Sequence, residues 1–299
     1  MRIQQLQSEN IDKDKWDQCI RNAANGLIYA FSNYLDLMAP GWDGLILNDY
    51  EAVMPLPTRA KFGVKYIFQP AFCAQLGLFG NNLTPQLLDN FLEAIPQKFR
   101  YWDMNLNHGN VFESHYPLFL RKNYVLDLNH PYDEIVKNYR ENTRRNIKKA
   151  SDSGCYIKTD IALIEVISLA TKYTPGINPI DLNRFEQLFN VFHKTTQALT
   201  YGVYSPSREL VSSNVFFLSH DRSYYILVGN HPNGKMLGAS HMLIDGFIRD
   251  HSNTAMKLDF EGSDLSNLAF FYSSFGAKEE NYTALRLNLL PWYLKILKN

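Results

Sequence analysis

Cysteine is scarce in this 299-residue chain. Its three cysteines, Cys19, Cys73 and Cys155, are odd in number and widely spaced, with no CxxC pair and no histidine set to complete a zinc site. A disulfide framework and a zinc-built module are therefore excluded, and a reducing compartment is expected. An excess of charge of one sign is also missing, since 30 Lys and Arg balance 30 Asp and Glu. No global field steers the protein towards nucleic acid or an anionic membrane, so any polyanion site must be a local patch. No apolar run approaches the roughly 18 residues of a membrane-spanning helix, and Met1 to Lys15 mixes Gln, Asp and Lys without the apolar centre of a signal or transit peptide. These absences predict a cytoplasmic protein without a membrane span. Low-complexity segments, long linkers and heptad runs are lacking too.

What the chain does have is apolar material. Its hydrophobic fraction of 45%, with 19 Phe and 18 Tyr, suffices for a sizeable core. The length suits two domains, and the order of elements suggests how they divide. A short strand at Arg2–Leu6 and helices at Ile11–Asn22 and Phe31–Met38 come first, and the strand-like runs at 42–47, 51–56 and 64–68 then read as an antiparallel meander. A further strand is expected over Gln75–Phe79. Thr84 caps a helix with Pro85 at its first position, and a strand at Arg100–Leu106 follows. A similar order begins again after His130. A long helix is expected between Pro131 and Ser153, then a strand at Cys155–Thr159, a helix at Ile161–Tyr173 ended by Thr174-Pro175-Gly176, and a helix capped by Asp181. Three strands at 199–204, 210–218 and 224–228 come next, followed by a glycine-bearing loop (Asn230–Gly238), a helix at Ala239–His251 and a strand at Lys257–Phe260. Tyr282–Leu287 reads as a last strand and Pro291–Leu297 as an amphipathic tail. The boundary is expected near Arg121–Asn129, which gives units of 1–124 and 125–299, the tail packing back on the first.

Three stretches could carry chemistry. Arg140, Arg144 and Lys148 fall at i, i+4 and i+8 of the expected long helix, with Arg145 and Lys149 beside them. That stripe could grip phosphates, because Arg offers planar bidentate donors and Lys a point charge; a solvated helix face would look the same. Lys235, Gly238 and Ser240 lie where a loop opens a helix, and free amides there could cradle a pyrophosphate; a plain loop with an N-cap is the alternative. In Leu258-Asp-Phe-Glu-Gly-Ser263, Asp259 and Glu261 should share one side of a strand near its C-terminal end, where either could take a proton from an amine nucleophile. They could equally bind nearby amides or basic side chains. Lone histidines such as His108, His115 and His241 form no nucleophile elbow with Ser and Asp. Arg59 and Lys61 read as solvated turn residues.

The segment Asn142-Thr-Arg-Arg-Asn-Ile-Lys-Lys-Ala150 before Gly154, together with Leu258–Ser263 and the aromatic run Phe271-Tyr-Ser-Ser-Phe275-Gly276, resembles the Fem-type aminoacyl- and peptidyl-transferases and their FemAB-like relatives in the acyl-CoA N-acyltransferase superfamily. Val53–Leu56, Gln69-Pro70 and Gln75–Gly77 extend the likeness over nearly the whole chain. The resemblance implies an α/β (α+β) protein of two tandem GNAT-like units, each a mixed, largely antiparallel sheet flanked by helices. It implies N-acyl transfer from acyl-CoA or aminoacyl-tRNA as co-substrate to a small-molecule or peptide amine, and a link to the bacterial cell wall. No tightly bound cofactor, metal or DNA partner is implied, whereas tRNA is. Tyr272 stands where many relatives carry a lysine able to steady negative charge, and the helix at Phe31–Met38 lacks the lysine with which the Fem enzymes of cell-wall synthesis help bind their nucleotide-linked precursor. A non-catalytic binding protein on the same scaffold is the reading from another class. Oligomeric state has no signature in the sequence.

Overall fold

The computed structural model of the chain describes residues 2–173, 176–262 and 264–291. The chain divides into two compact units, one comprising Met1–Arg121 with Asn281–Asn299 and the other Lys122–Glu280.

The first unit runs through β1 (Ile3–Gln7), α1 (Lys13–Asn22), α2 (Ser32–Met38), β2 (Asp43–Leu47), β3 (Ala52–Leu56), β4 (Thr58–Lys61), β5 (Val64–Ile67), β6 (Phe79–Gly80), α3 (Pro85–Glu93) and β7 (Phe99–Asn105). One antiparallel sheet has the order β1-β2-β3-β6. β2 and β3 are buried along their whole length, which is why both read as continuous apolar runs. Pro55 lies beyond the two residues of β3 that pair with β6, so its missing N–H costs no ladder bond on that side. Trp16 of α1 packs edge-on against Trp42 with ring centroids 4.7 Å apart, and its indole N–H donates to the Ala30 carbonyl. Thr84 caps α3 as expected, its hydroxyl accepting from the Leu87 N–H. The expected meander holds only for β2 and β3. β5 pairs antiparallel with β4, in a stretch read as a turn, and parallel with β7.

Neutral amides organise the irregular stretch before β6, where a full strand was expected. The Asn107 side chain donates to the carbonyls of Leu76 and Leu78 and accepts from Gly109 N–H and from Asn25. Asn110 accepts from Leu78 N–H and returns a bond to the Leu78 carbonyl. Gly77, at φ 88°, is required here, because a Cβ would fall 2.5 Å from the Asn110 Oδ1 and 2.9 Å from the Leu106 Cα.

β8 (Leu118–Asp127) leads into the second unit, which contains α4 (Tyr132–Lys137), α5 (Glu141–Asp152), β9 (Tyr156–Thr159), α6 (Leu163–Tyr173), α7 (Pro179–Lys194), β10 (Ala198–Tyr204), β11 (Leu210–Ser219), β12 (Arg222–Asn230), α8 (Pro232–Leu237), α9 (Ala239–His251), β13 (Lys257–Asp259) and α10 (Ser266–Ser273). β14 (Lys278–Asn288) then returns the chain to the first unit, where Ala284–Asn288 pair antiparallel with β7. Within the second unit the strand order is β8-β13-β12-β11-β10-β9, antiparallel except for the parallel pair β12 and β13. Phe216 stacks on Phe247 of α9 at 3.7 Å on one face, and Phe217 meets Phe185 and Phe192 of α7 on the other. Both units are thus mixed α/β bodies with largely antiparallel sheets, as the sequence implied.

Three local expectations need correction. The single helix expected from Pro131 to Ser153 is broken into α4 and α5, because Tyr139 turns inward to pack on Phe275 and bond Asp245, and Arg140 is extended, its N–H donating to the Ser274 carbonyl. Asn178, not Asp181, caps α7, with Pro179 at the first helical position. The expected loop from Asn230 to Gly238 contains α8. Residues 174–175, Ser263 and the tail beyond Pro291 lie outside the described residues. Among the described residues no helix is long and apolar enough to cross a membrane.

Candidate functional site

The basic segment of α5 has separate tasks for its charges. Arg140 sits at the N-cap position with its guanidinium 4.6 Å from the Phe270 ring centroid of α10. Arg144 donates through Nη2 to the carbonyls of Val136 and Lys137, at 3.1 and 2.8 Å, and so closes the C-terminal end of α4. Lys148 pairs with Asp152 one turn on, at 2.9 Å. Arg145 and Lys149 are exposed and have no hydrogen-bond or ionic partner among the described residues. The helix start is fixed by Thr143, whose buried hydroxyl donates to the Ser274 hydroxyl at 2.7 Å. α5 and the end of α10 are therefore one packed piece.

Asp259, the last residue of β13, is buried and saturated. It accepts from Arg222 Nη1 at 2.6 Å, from Asn123 Nδ2 at 2.9 Å and from the Glu261 N–H at 2.7 Å. Arg222 also forks onto both oxygens of Glu280, at 2.8 and 3.1 Å. Burial alone would lower the Arg222 pKa, but the charges of Asp259 and Glu280 overrule it and hold the guanidinium above its ordinary value. Glu261 is not on the strand: β13 ends at Asp259, and Glu261 and Gly262 take left-handed φ of 60° and 89°. The two carboxylates thus do not share one side of a strand, because the chain turns between them. Tyr272 is buried, stacked on Phe260 at 4.6 Å, edge-on to Tyr225 and tilted towards Tyr124. Its hydroxyl pKa is raised, first by burial and then by the charge of Glu261.

Between these pieces β12 and β13 part. Their parallel register covers only Arg222–Tyr224 against Lys257–Asp259, while β12 runs on to Asn230 and bulges at Leu227, whose φ is 37°. The side of β12 that faces away from β11 is thus unpaired by β13 from Tyr225 onward. Tyr225, the first unpaired residue of β12, has its ring 5.9 Å from that of Phe260, which follows β13, and Tyr272 packs on both.

Lys235 is exposed on α8, away from any loop. Gly238 joins α8 to α9 at φ 81°, and a Cβ there would lie 2.4 Å from the Asn146 carbonyl oxygen of α5. Close helix packing therefore accounts for this glycine. Ser240 and Ser212 both donate to the Asn230 side-chain oxygen, at 2.6 and 2.7 Å. His241, wedged between Phe271 and Phe275, has its pKa lowered to about 4 by burial.

A cleft of about 660 Å3 in this unit lies between β8, α4, the start of β13 and the start of β14. Its wall includes Lys137 and Asn138 from the helix break, Lys257 at the start of β13, Gly276 after the aromatic run, and Glu280 from the Arg222 network. None of Arg140, Arg144, Arg145, Lys148, Asp259 or Glu261 lines it. Sequence reasoning missed Arg222, Lys257 and Glu280. Arg222 lies between the runs expected as strands at 210–218 and 224–228, and its partners Asp259 and Glu280 are far away in the chain. Among the described residues no group of three or more His, Cys, Asp or Glu side chains could hold a metal ion.

No protein-family model matches the sequence, and no curated protein matches it. Solved structures do match in fold. FemX is 12% identical and covers 100% of both chains with a TM-score of 0.67. L-PGS from Bacillus licheniformis is 12% identical, with 96% of this chain and 95% of that one covered and a TM-score of 0.54. A tandem GNAT protein from the clavulanic acid biosynthesis pathway is 8% identical, with 97% and 99% covered and a TM-score of 0.56. The chain accordingly has the Fem-like, tandem GNAT-type acyltransferase fold.

Proposed function

We propose that the protein is an N-acyltransferase that joins an activated acyl group to an amine, with the second unit as its active part. The observation that carries this reading is the parting of β12 from β13 beside Glu261 and Tyr272. An unpaired strand edge inside a sheet offers backbone N–H and C=O groups to an extended, amide-bearing donor arm, and buried rings beside it exclude water. In this reading the amine attacks the donor carbonyl at the gap. The new C–N bond forms as the C–S bond of a thioester, or the C–O bond of an aminoacyl ester, breaks. Glu261 takes the proton leaving the amine, and that proton passes on to the departing thiolate or alkoxide. Tyr272, held protonated by its surroundings, can steady the tetrahedral oxyanion in the place where many Fem-type relatives carry a lysine.

Asp259 acts as a positioning residue, fixing the Glu261 N–H and the strand end. Arg145, with Arg140 and Lys149 beside it, supplies charge for donor phosphates, since Arg144 and Lys148 are bound within the protein. Lys235, Gly238 and Ser240 serve the packing of α8 and α9 against α5 in this reading. The co-substrate is acyl-CoA or aminoacyl-tRNA, and the acceptor a small-molecule or peptide amine. The test is transfer of labelled acyl groups from both donor classes to a panel of amines. Glu261→Gln is expected to lower kcat by about a hundredfold or more with little change in donor binding. Absence of transfer and of donor binding for the unaltered protein would sink the proposal.

The ring cluster favours a second reading. Tyr225, Phe260 and Tyr272 pack on one another beside the strand edge that a donor arm would use, as expected of a non-catalytic binding protein that retains the scaffold. Under that reading Glu261→Gln leaves cellular activity intact, and a thermal-shift screen finds no stabilisation by CoA thioesters or tRNA.

A further inference from the structure

We propose that the β4–β5 hairpin of the first unit and the cleft beside it form a docking surface for an anionic phospholipid membrane. At the hairpin tip Phe62 is 83% exposed, in a left-handed conformation with φ 51°, and is followed by Gly63 at 77°. Two such positions in a two-residue turn favour Asn-Gly. A bulky aromatic side chain there is strained and, so exposed, adds little to the core. Its ring is free to be buried by something outside the chain.

The cleft next to Gly63, of about 600 Å3, carries three exposed cations, Lys65, Lys98 and Arg100, and among the described residues no acidic one lines it. Lys98 also stands 3.7 Å from the Asp43 carboxylate. The rest of the wall is aliphatic, with Val64, Leu290 and the half-exposed Leu289. Arg59 and Lys61 of β4 extend the positive field, and they lie over the rings of Phe68 and Phe62 at 3.9 and 5.5 Å. In a chain of zero net charge, five cations gathered around one tip form a local patch of the kind that a neutral protein needs to hold a polyanion. Phosphates would sit among the cations while Phe62 and Leu289 enter the boundary between headgroups and acyl chains. Aliphatic walls beside a single projecting ring suit lipid better than RNA, which calls for stacking platforms.

Co-sedimentation of the full chain with phosphatidylcholine vesicles, with and without phosphatidylglycerol, tests this. Binding is expected only with phosphatidylglycerol and should weaken as salt rises. Phe62→Ser should weaken it at least fivefold. Lys65→Gln with Lys98→Gln should weaken it by about 25-fold, at about fivefold per cation. Circular dichroism should show both variants folded, since all three side chains are exposed. In Phe62→Trp the indole emission should shift to the blue on vesicles and be quenched by brominated lipid. The proposal is overturned if the full chain ignores phosphatidylglycerol vesicles, if Phe62→Ser binds them unchanged, or if the same residues instead retain RNA while vesicles are not bound.

Discussion

The two units solve the same problem, polar groups inside a core, by different chemistry. In the first unit Asn25, Asn107 and Asn110 are neutral amides that satisfy an irregular backbone through several redundant bonds. In the second, Arg222, Asp259 and Glu280 form a buried ionic knot, and Asp245 gathers the hydroxyls of Tyr132 and Tyr139 with the Arg249 guanidinium. A neutral network fails gradually, because the Leu78 carbonyl at its centre keeps other donors when one is removed. An ionic one fails abruptly, because a charge left without its partner has nowhere to go.

The sharpest way to break the comparison is Arg222→Met, which strands two carboxylates. It should cost about 3–5 kcal/mol in urea unfolding followed by circular dichroism. A smaller effect comes from acid. Because His241 has its folded pKa lowered to about 4 from an ordinary 6.5, the unfolded chain binds the proton first on acidification. Its contribution is fully present above pH 6.5 and is lost as pH falls towards 4, about 3 kcal/mol in all. Hydrogen exchange should show α9 losing protection across that window while β2 and β3 keep theirs, and His241→Gln should flatten the dependence. The smallest effect is expected from Asn107→Ala, about 1–2 kcal/mol in urea unfolding, because Asn25 and Asn110 still donate to the Leu78 carbonyl. A larger loss than from Arg222→Met would reverse the contrast.

Elements whose cause is local were legible in the sequence. The Thr84-Pro85 cap, the buried runs of β2 and β3, and α9 between Ala239 and His251 follow from residues close by. Elements whose cause is remote were not. The break between α4 and α5 depends on Tyr139 reaching Asp245, and the role of Asp259 depends on Arg222, 37 residues earlier in the chain. β4 is polar and exposed, so apolar alternation gives no sign of it. The tasks of Arg144, Lys148 and Gly238 come from packing and from bonds within the protein that a charge pattern cannot express.

The return of the chain through β14 sets an order of events during synthesis. β7 must wait for residues 284–288, whereas the intervening unit is complete once Glu280 has emerged. At about 5–20 residues per second, the edge of β7 that awaits β14 stays unpaired for roughly 10–35 s after Asn105 is made. A ribosome stalled inside that interval would display an open strand edge, and a shortened chain ending at Asn281 would carry the defect permanently, as a template for aggregation.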